Sequence, residues 1–283
     1  MEPSTDSSPA QPGLSFISLN DAQPTTILLL HGAFSCHLEF ALIIPLLSDY
    51  HLLIPDLPGH SGSRAIKPAT IDNAATHVER LIQAHAHDAR AHVVGVSMGG
   101  FIAQRVATSL PSLVQSLFVT GASPFTGWTQ WIVERPVLVY ASLALMVHVL
   151  PDAVYWWSAS TAGVQRHEEL LVEMRKNCTR ETTAEIYPSL LTWKQEDVGR
   201  LKVRTLAVAG GKGDDVVEVA EMGKRLKARG GLDGEGAWPE DGSGAVVVKE
   251  AIHAWDLQLP EVFSRGVIAW VRGENLPVEF ERL

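Results

Sequence analysis

Six short apolar runs constrain the fold more than any other feature of this chain. None shows the alternation of polar and apolar residues that a half-buried strand has. Such runs are typical of strands buried on both faces of a parallel sheet. They cover residues 26–30, 52–56, 93–96, 115–120, 204–209 and 245–248, and residues 14–19 add a candidate N-terminal strand.

Segments with apolar residues at helical spacing separate these runs. They cover residues 38–47, 72–87, 101–110 and 216–229. Strands that alternate with helices predict βαβ crossovers and a sheet that is covered by helices. The fold class that the sequence predicts is therefore α/β, with a mostly parallel, doubly wound sheet.

The alternation stops over residues 123–200, which contain apolar helical stretches and no strand pattern. Five tryptophans fall here, at positions 128, 131, 156, 157 and 193. We expect a helical cap above the carboxyl ends of the strands, where open α/β sheets bind ligands. The predicted organisation is a flexible leader (1–13), a core (14–122 and 201–283) and a cap (123–200). Residues 230–244 are rich in glycine and acidic residues, which predicts a loop.

The segment from Gly95 to Gly99 has the pattern G-x-S-x-G, with Ser97 at its centre. A β-branched run precedes it and a helical pattern follows, so the serine is expected on a sharp strand-to-helix turn. Such a turn holds the serine in a strained backbone conformation and exposes its hydroxyl. The two glycines allow the strand and the helix to approach closely. Ser97 is therefore the candidate nucleophile.

A serine hydroxyl needs a base to take its proton and an acid to orient that base. His253 follows the sixth apolar run and is the candidate base. Asp214 follows the fifth run in a glycine-rich loop and is the candidate acid, with its neighbour Asp215 as the alternative. The order nucleophile, acid, base is the one expected for this type of turn. Asp256 is expected to cap a helix or to pair locally.

Two backbone N–H groups are candidates for binding a negatively charged oxygen in the reaction. The N–H of Met98 begins a helix, so it has no partner inside that helix. The second N–H is expected from the loop after the first apolar run, at Ala33 in the sequence His31-Gly32-Ala33-Phe34.

Composition excludes several other functions. The chain has 283 residues, 46% hydrophobic and 19% charged, which is typical of a globular protein. The net charge is −9 and there is no basic run, so we expect no nucleic-acid partner. The longest apolar run, residues 136–150, is shorter than the roughly 20 residues that span a bilayer. We interpret it as a buried or pocket-lining helix and expect no membrane partner.

The two cysteines, Cys36 and Cys178, have no metal-ligand spacing, so no metal site is expected. Two free thiols in a reducing compartment are the simpler interpretation, although the sequence leaves a disulfide between them open. The leader has no apolar core of the kind that secretory signals contain. We therefore expect a cytoplasmic location.

Taken together, the motifs resemble those of the α/β-hydrolase superfamily, in its capped esterase-like branch. The resemblance spans about residues 14–272. The matching pieces, in the family's order, are His31-Gly32, Asp56 to Ser63, Gly95 to Gly100, Gly211-x-x-Asp214 and His253. The resemblance implies hydrolysis of esters, thioesters or related bonds through a covalent acyl-enzyme, with no metal or organic cofactor.

The function that we predict is hydrolysis of a carboxylic ester, thioester or lactone of a medium-sized, apolar small molecule. The helical cap favours an apolar substrate because it shields the site from water. Three alternatives stay open: a C–C bond hydrolase or an acyltransferase with the same triad, or a ligand-binding protein without catalysis, because fold does not fix function. The sequence does not specify the oligomeric state.

Overall fold

The computed structural model describes residues 13–229 and 242–283. The predicted leader and the predicted loop at residues 230–244 therefore lie almost wholly outside the described residues. Within the described part of the chain, eight strands form one sheet. The strands are β1 (Phe16–Leu19), β2 (Thr26–Leu30), β3 (His51–Pro55), β4 (Ala91–Val96), β5 (Val114–Thr120), β6 (Arg204–Gly210), β7 (Gly244–Val248) and β8 (Glu281–Arg282).

The strands lie in the order β1-β3-β2-β4-β5-β6-β7-β8. All neighbouring pairs from β3 to β7 are parallel, whereas β1 and β8 run antiparallel at the two edges. The predicted α/β fold with a mostly parallel sheet is confirmed. The sequence analysis missed β8, a two-residue strand of charged, exposed residues that only its pairing with β7 defines.

Helices cover both faces of the sheet. Those that follow the strands of the core are α1 (Ile71–His85), α2 (Met98–Ser109), α9 (Val216–Arg229), α10 (Trp255–Gln258) and α11 (Pro260–Arg272). Those between β5 and β6 are α3 (Gly127–Val133), α4 (Pro136–Ala144), α5 (Asp152–Thr161), α6 (Glu168–Asn177), α7 (Arg180–Leu190) and α8 (Gln195–Val198). Short 3-10 turns lie at His37–Phe40, Ile44–Leu47, Ser61–Ser63, His87–Ala89 and Pro111–Leu113.

The helix predicted over residues 38–47 is wrong. The chain instead forms two separate 3-10 turns, at His37–Phe40 and Ile44–Leu47. Pro45 explains the difference, because a proline inside a helix removes a backbone hydrogen bond and clashes with the preceding turn. The proline is tolerated at the start of the second turn, where its missing N–H would have no partner.

The apolar strands serve two hydrophobic cores, one on each face of the sheet. In β2, Leu28 and Leu30 pack into the core beneath α1, α2 and α9, and Ile27 and Leu29 pack into the core beneath α11. All five residues of β2 are buried. Successive strand residues point to opposite faces, so burial on both faces requires a continuous apolar run. Each fully buried leucine or isoleucine contributes about 1.5–3 kcal/mol.

The apolar run at residues 136–150 forms α4 and a π turn (Leu145–Val149), and it is not buried as a whole. Val137 is 58% and Val149 67% exposed, whereas Val139 and Val147 are buried. The helix packs on α7 with one side only, so half of its apolar residues face outward. The run is therefore not buried on all sides, but Leu143, Met146 and Val147 line a cavity, which agrees with the pocket-lining alternative of the prediction.

Among the described helices, none alone has the length and apolar composition needed to cross a membrane. One pair of consecutive helices, Gly127–Val133 and Pro136–Val149, reaches that length and composition only when taken together, and the two are bent by 84°.

Candidate active site

The turn between β4 and α2 has the geometry that its sequence predicts. Ser97 has φ +51° and ψ −119°, a conformation that residues with a side chain rarely adopt. A Cβ on Gly95 would lie 2.5 Å from the Gly99 carbonyl oxygen, and one on Gly99 would lie 2.1 Å from the Leu30 carbonyl oxygen. No side chain fits at either position, so both glycines are required for the close packing of β2, β4 and α2.

His253 and Asp214 meet at the carboxyl ends of β6 and β7. The imidazole Nδ1 of His253 donates a hydrogen bond to Asp214 Oδ1 at 2.5 Å. Asp214 Oδ2 accepts from the N–H of Gly210 at 2.7 Å, so both carboxylate oxygens have partners. Because Nδ1 carries the proton, Nε2 of His253 is free to accept one. His253 and Ser97 line the same cavity.

The loop that follows β5 makes room for this pair. Gly121 has φ +61°, and a Cβ there would lie 2.6 Å from Cε1 of His253 and 3.4 Å from Asp214 Oδ1. The indole N–H of Trp255 donates to the hydroxyl of Thr120 at 2.8 Å, which ties the chain after His253 to the end of β5. The imidazole is therefore held between β5, β6 and the start of α10.

Asp215, the alternative acid, has a different position. Its Oδ1 accepts from the N–H groups of Val217 and Glu218 at 3.2 and 3.1 Å, so it caps the N-terminus of α9. It makes no hydrogen bond to His253 among the described residues. The geometry distinguishes the two neighbouring carboxylates, which the sequence could not do.

The electrostatic surroundings raise the pKa of His253 above 6.5. Burial alone would lower this pKa, but the hydrogen bond and charge of Asp214 outweigh it, and the charge of Glu39 acts in the same direction. The Asp214 side chain is 3% exposed and the His253 side chain 49% exposed. A buried carboxylate behind an accessible imidazole stabilises the imidazolium that proton uptake creates.

One peptide N–H in the loop after β2, that of Ala33, has no acceptor within the part of the chain that the structure describes. The carbonyl oxygen of Gly32 accepts from His31 Nδ1 at 2.8 Å and from the N–H of Ser35 at 3.3 Å. Because C=O and N–H of a trans peptide point in opposite directions, the N–H of Ala33 points away from these donors. Ala33 and Ser97 both line the cavity.

The N–H of Met98 is the other predicted donor. Met98 is the first residue of α2 and is buried directly after Ser97. The first N–H groups of a helix have no acceptor within it. One predicted donor thus directly follows the serine in the turn, and the other belongs to a residue that lines the same cavity as the serine.

Two buried histidines hold the loop after β2, and sequence reasoning did not assign them this role. Nε2 of His31 accepts from the N–H of Leu57, and Nε2 of His60 accepts from the N–H of Phe34, both at 2.9 Å. Burial lowers the pKa of His31 to about 4 and that of His60 to about 3. Both rings are neutral acceptors at neutral pH. The segment from Asp56 to Ser63 therefore supports the loop that carries Ala33.

Two buried carboxyls, Glu39 and Asp256, lie beside this site, and the sequence analysis did not predict that they meet there. Glu39 accepts the N–H of Gly32 with both oxygens, at 3.1 and 3.2 Å, and it lines the cavity. Asp256 is 0% exposed, and burial followed by the charge of Glu39 raises its pKa well above the usual range. Its side-chain neighbour, Glu39, lies on another element, and the backbone N–H groups of Asp256 and Leu257 act on it locally at the start of α10.

A cavity of about 350 Å³ opens above Ser97 and His253. Its floor is formed by the loop after β2, the serine turn and the loop with His253. Its walls come from the helices between β5 and β6, and they are mostly apolar. Six of the wall residues are Met146, Tyr155, Trp156, Leu170, Met174 and Tyr187. The volume and the apolar walls are typical of a site for a small organic ligand.

One group of residues has side chains close enough to share a metal ion: Cys36, His37 and Asp56, whose ligand atoms lie within 4.8 Å of one another. Asp56 already accepts from His37 and from the N–H of Gly62. Burial raises the pKa of the Cys36 thiol to about 11, so the thiol stays protonated. These groups are satisfied without a metal and do not fit one. Cys36 and Cys178 are both free and buried.

A mostly parallel sheet with a serine turn after β4 and an Asp–His pair after β6 and β7 is the architecture of an α/β hydrolase. Residues 25–171, more than half of the chain, match the family model described as the alpha/beta hydrolase fold. A protein of Gibberella zeae described as an AB hydrolase superfamily protein is 32% identical over 266 residues, which are 90% of this chain and 83% of that protein. The chain belongs to the α/β-hydrolase superfamily.

One further relative and one solved structure are similar to the chain. The pimeloyl-[acyl-carrier protein] methyl ester esterase of Pectobacterium atrosepticum is 26% identical over 258 residues, which are 88% of this chain and 94% of that protein. The solved esterase from Exiguobacterium antarcticum superposes with a TM-score of 0.67 over 92% of this chain and 94% of that one, at 18% identity. The second likeness shows the fold alone. The chain is an α/β-hydrolase enzyme, and its relatives support ester hydrolysis.

Proposed function

We propose that the protein hydrolyses a carboxylic ester of a medium-sized, apolar small molecule through an acyl-enzyme on Ser97. His253 is the proposed general base, and Asp214 orients its ring. The N–H groups of Ala33 and Met98 are the proposed oxyanion donors. The observation that carries the proposal is the Asp214–His253 hydrogen bond at the edge of the cavity that Ser97 also lines.

In the first half of the reaction, Ser97 Oγ attacks the carbonyl carbon while Nε2 of His253 takes the hydroxyl proton. The carbonyl oxygen becomes negatively charged and binds the two N–H donors, each contributing about 2.7–4 kcal/mol to the transition state. The imidazolium then gives its proton to the leaving alcohol, and the ester C–O bond breaks. Asp214 stabilises the imidazolium and does not itself become protonated.

In the second half, His253 takes a proton from water, whose oxygen attacks the acyl carbon. The tetrahedral intermediate collapses, the Ser97 Oγ leaves with the proton from the imidazolium, and the carboxylic acid is released. The reaction uses side chains, backbone N–H groups and water only.

The walls of the cavity favour an apolar acyl or alcohol group. Aromatic and sulfur-containing side chains such as Trp156, Tyr187 and Met174 adapt to apolar ligands and offer no charge to bind a polar one. A volume of about 350 Å³ is at the small end of ligand sites and supports a substrate of medium size.

A series of p-nitrophenyl esters from acetate to laurate tests the proposal, with Ser97→Ala as the matched blank. We expect saturable hydrolysis by the wild type, an optimum at a medium chain length, and labelling by a fluorophosphonate that Ser97→Ala abolishes. Hydrolysis that survives in Ser97→Ala would exclude this nucleophile. Absence of labelling in the folded wild type would favour the ligand-binding alternative.

The same experiment separates the remaining alternatives. An acyltransferase would give ester or amide products when an alcohol or amine is added, and a C–C hydrolase would cleave a β-diketone faster than the esters. A thioester and a lactone complete the panel.

The buried, unpaired thiols of Cys36 and Cys178 support the proposed reducing, cytoplasmic location.

A further inference from the structure

The pair of buried carboxyls, Glu39 and Asp256, has no function in the reaction as proposed above. Glu39 lies in the 3-10 turn that follows the loop with Ala33, and Asp256 lies in α10, three residues after His253. Their side chains are 5% and 0% exposed. Neither forms an ion pair with lysine or arginine in the part of the chain that the structure describes. Two carboxyls without a cation cannot both ionise when buried together.

The proton that the pair retains is expected on Asp256. No hydrogen bond of good geometry reaches either oxygen of Asp256 within residues 13–229 and 242–283. Burial raises the pKa of Glu39 to about 7, whereas the nearby Ser35 hydroxyl and the N–H of Gly32, which donates to both Glu39 oxygens, favour its ionised form. The side chain that acts on Asp256 is the carboxyl of Glu39. A protonated Asp256 can donate a hydrogen bond to that carboxyl.

In its ionised form, which predominates above about pH 7, Glu39 acts on the peptide that carries the proposed oxyanion donor. Both of its oxygens accept the N–H of Gly32, while His31 donates to the carbonyl oxygen of the same residue. The peptide groups on both sides of Gly32 are thereby fixed. A Cβ on Gly32 would lie 3.6 Å from Ser97 Cβ and 3.6 Å from Glu39 Oε2, so Glu39 and the nucleophile are both neighbours of this glycine.

Glu39 also acts on the imidazole. The groups that set the charge around His253 are Asp214, which is hydrogen-bonded to Nδ1, and Glu39, which adds a second negative charge. The groups that face Glu39 are the N–H of Gly32, the hydroxyl of Ser35, Asp256 and His253. Neutralising Glu39 therefore removes one of the two charges that stabilise the imidazolium.

We propose that Glu39 is a positioning residue of the hydrolase: its carboxylate, held by the proton of Asp256, orients the Gly32–Ala33 peptide and tunes the His253 imidazole. This inference rests on the proposed function, because the peptide matters only if Ala33 binds the oxyanion. A merely structural carboxyl would affect stability but not the titration of His253.

The test compares Glu39→Gln with Asp256→Asn in pH profiles of kcat/KM. In Glu39→Gln the amide oxygen still accepts from Gly32, but the charge is gone. We expect the acidic limb to move to lower pH, with kcat reduced about tenfold, KM nearly unchanged and the fold intact, because a neutral acceptor holds the peptide less firmly. In Asp256→Asn the amide N–H can donate to the ionised Glu39 at every pH. We therefore expect kcat to stay near the wild-type value and the acidic limb of the kcat/KM profile not to move to lower pH.

The matched control is Glu79→Gln. Burial also raises the pKa of Glu79, but this residue lies on α1 and does not line the cavity. We expect no shift of its profile. A Glu39→Gln profile and kcat that coincide with the wild type would overturn the inference, as would a downward shift of equal size in Asp256→Asn.

A measurement on the wild-type protein covers the case in which a variant does not fold. Infrared difference spectra against Asp256→Asn, or against the wild type at high pH, should show a protonated carboxyl at neutral pH. Its absence would overturn the inference. Fluorophosphonate labelling of Ser97 keeps the outcomes separate: a labelled, active enzyme with an unshifted Glu39→Gln profile refutes the role of Glu39 alone, whereas an unlabelled wild type refutes the proposed function.

Discussion

Gly121→Ala is the substitution whose effect on catalysis the structure specifies most closely. Gly121 follows β5 with φ +61°, and a Cβ there would lie 2.6 Å from Cε1 and 2.9 Å from Nδ1 of His253. Ordinary contacts begin at 3.4 Å, so the imidazole would have to withdraw by about 0.8 Å. The withdrawal also strains its hydrogen bond to Asp214, whose Oδ1 would lie 3.4 Å from the new methyl group.

The expected loss follows from this displacement. A misplacement of about 1 Å in a catalytic group lowers the rate about a hundredfold, which corresponds to about 2.7 kcal/mol of transition-state stabilisation. The left-handed conformation at Gly121 adds a separate effect on folding, because alanine adopts it at a cost of about 1–2 kcal/mol. We therefore expect kcat/KM to fall about a hundredfold and the free energy of unfolding to fall by about 1–2 kcal/mol.

The assay measures kcat/KM on the best p-nitrophenyl ester and unfolding in urea for each variant. Gly273→Ala is the matched control, because Gly273 has φ +71° and nothing lies within 4 Å of its added Cβ. It should show the same loss of stability with unchanged kinetics. A folded Gly121→Ala enzyme that retains wild-type kcat/KM would refute the placement of His253.

Three other predictions test separate parts of the site. Asp214→Asn should lower kcat about 10⁴-fold. Asp215→Ala should preserve kcat and lower the free energy of unfolding by about 1 kcal/mol, because Asp215 only caps α9. Equal losses of kcat in the two variants would contradict this assignment. The acidic limb of kcat/KM should have its midpoint above 6.5, because the pKa of His253 is raised; a flat profile between about pH 5 and 8 would exclude His253 as base. Met174→Trp should fill the cavity and lower kcat/KM for the p-nitrophenyl ester of octanoate far more than for that of acetate. Val172→Trp, on the same helix but outside the cavity, should leave both values unchanged. Equal losses of kcat/KM for the two esters in Met174→Trp would contradict the assigned acyl site.

The strands and the serine turn could be predicted from sequence because each is encoded locally. A strand buried on both faces must be apolar throughout, as β2 is, and a turn without room for a Cβ must carry glycine, as at Gly95 and Gly99. The chain order of the apolar runs then brings the residues that follow them to one edge of the sheet. This placed Asp214 and His253 close together in the prediction, and they form a hydrogen bond.

Features that depend on distant contacts could not be predicted. Glu39 lies in a 3-10 turn and Asp256 in α10, far apart along the chain, and only the folded chain brings their carboxyls together and buries them. The histidines of the sequence motifs, His31 and His60, are neutral because they are buried, and they accept hydrogen bonds that hold the loop after β2. Their neighbours in sequence do not show that they are buried. Helical spacing over residues 38–47 misled the prediction because spacing alone does not register the effect of Pro45.

The most direct test of the account is to trap the acyl-enzyme. The wild type is mixed with p-nitrophenyl octanoate, quenched in acid during turnover, digested and mapped by mass spectrometry. We predict an octanoyl group on the peptide that contains Ser97, formed together with a burst of p-nitrophenol equal to the enzyme concentration. A full burst with the acyl group on another residue would contradict the assignment of Ser97 as the nucleophile.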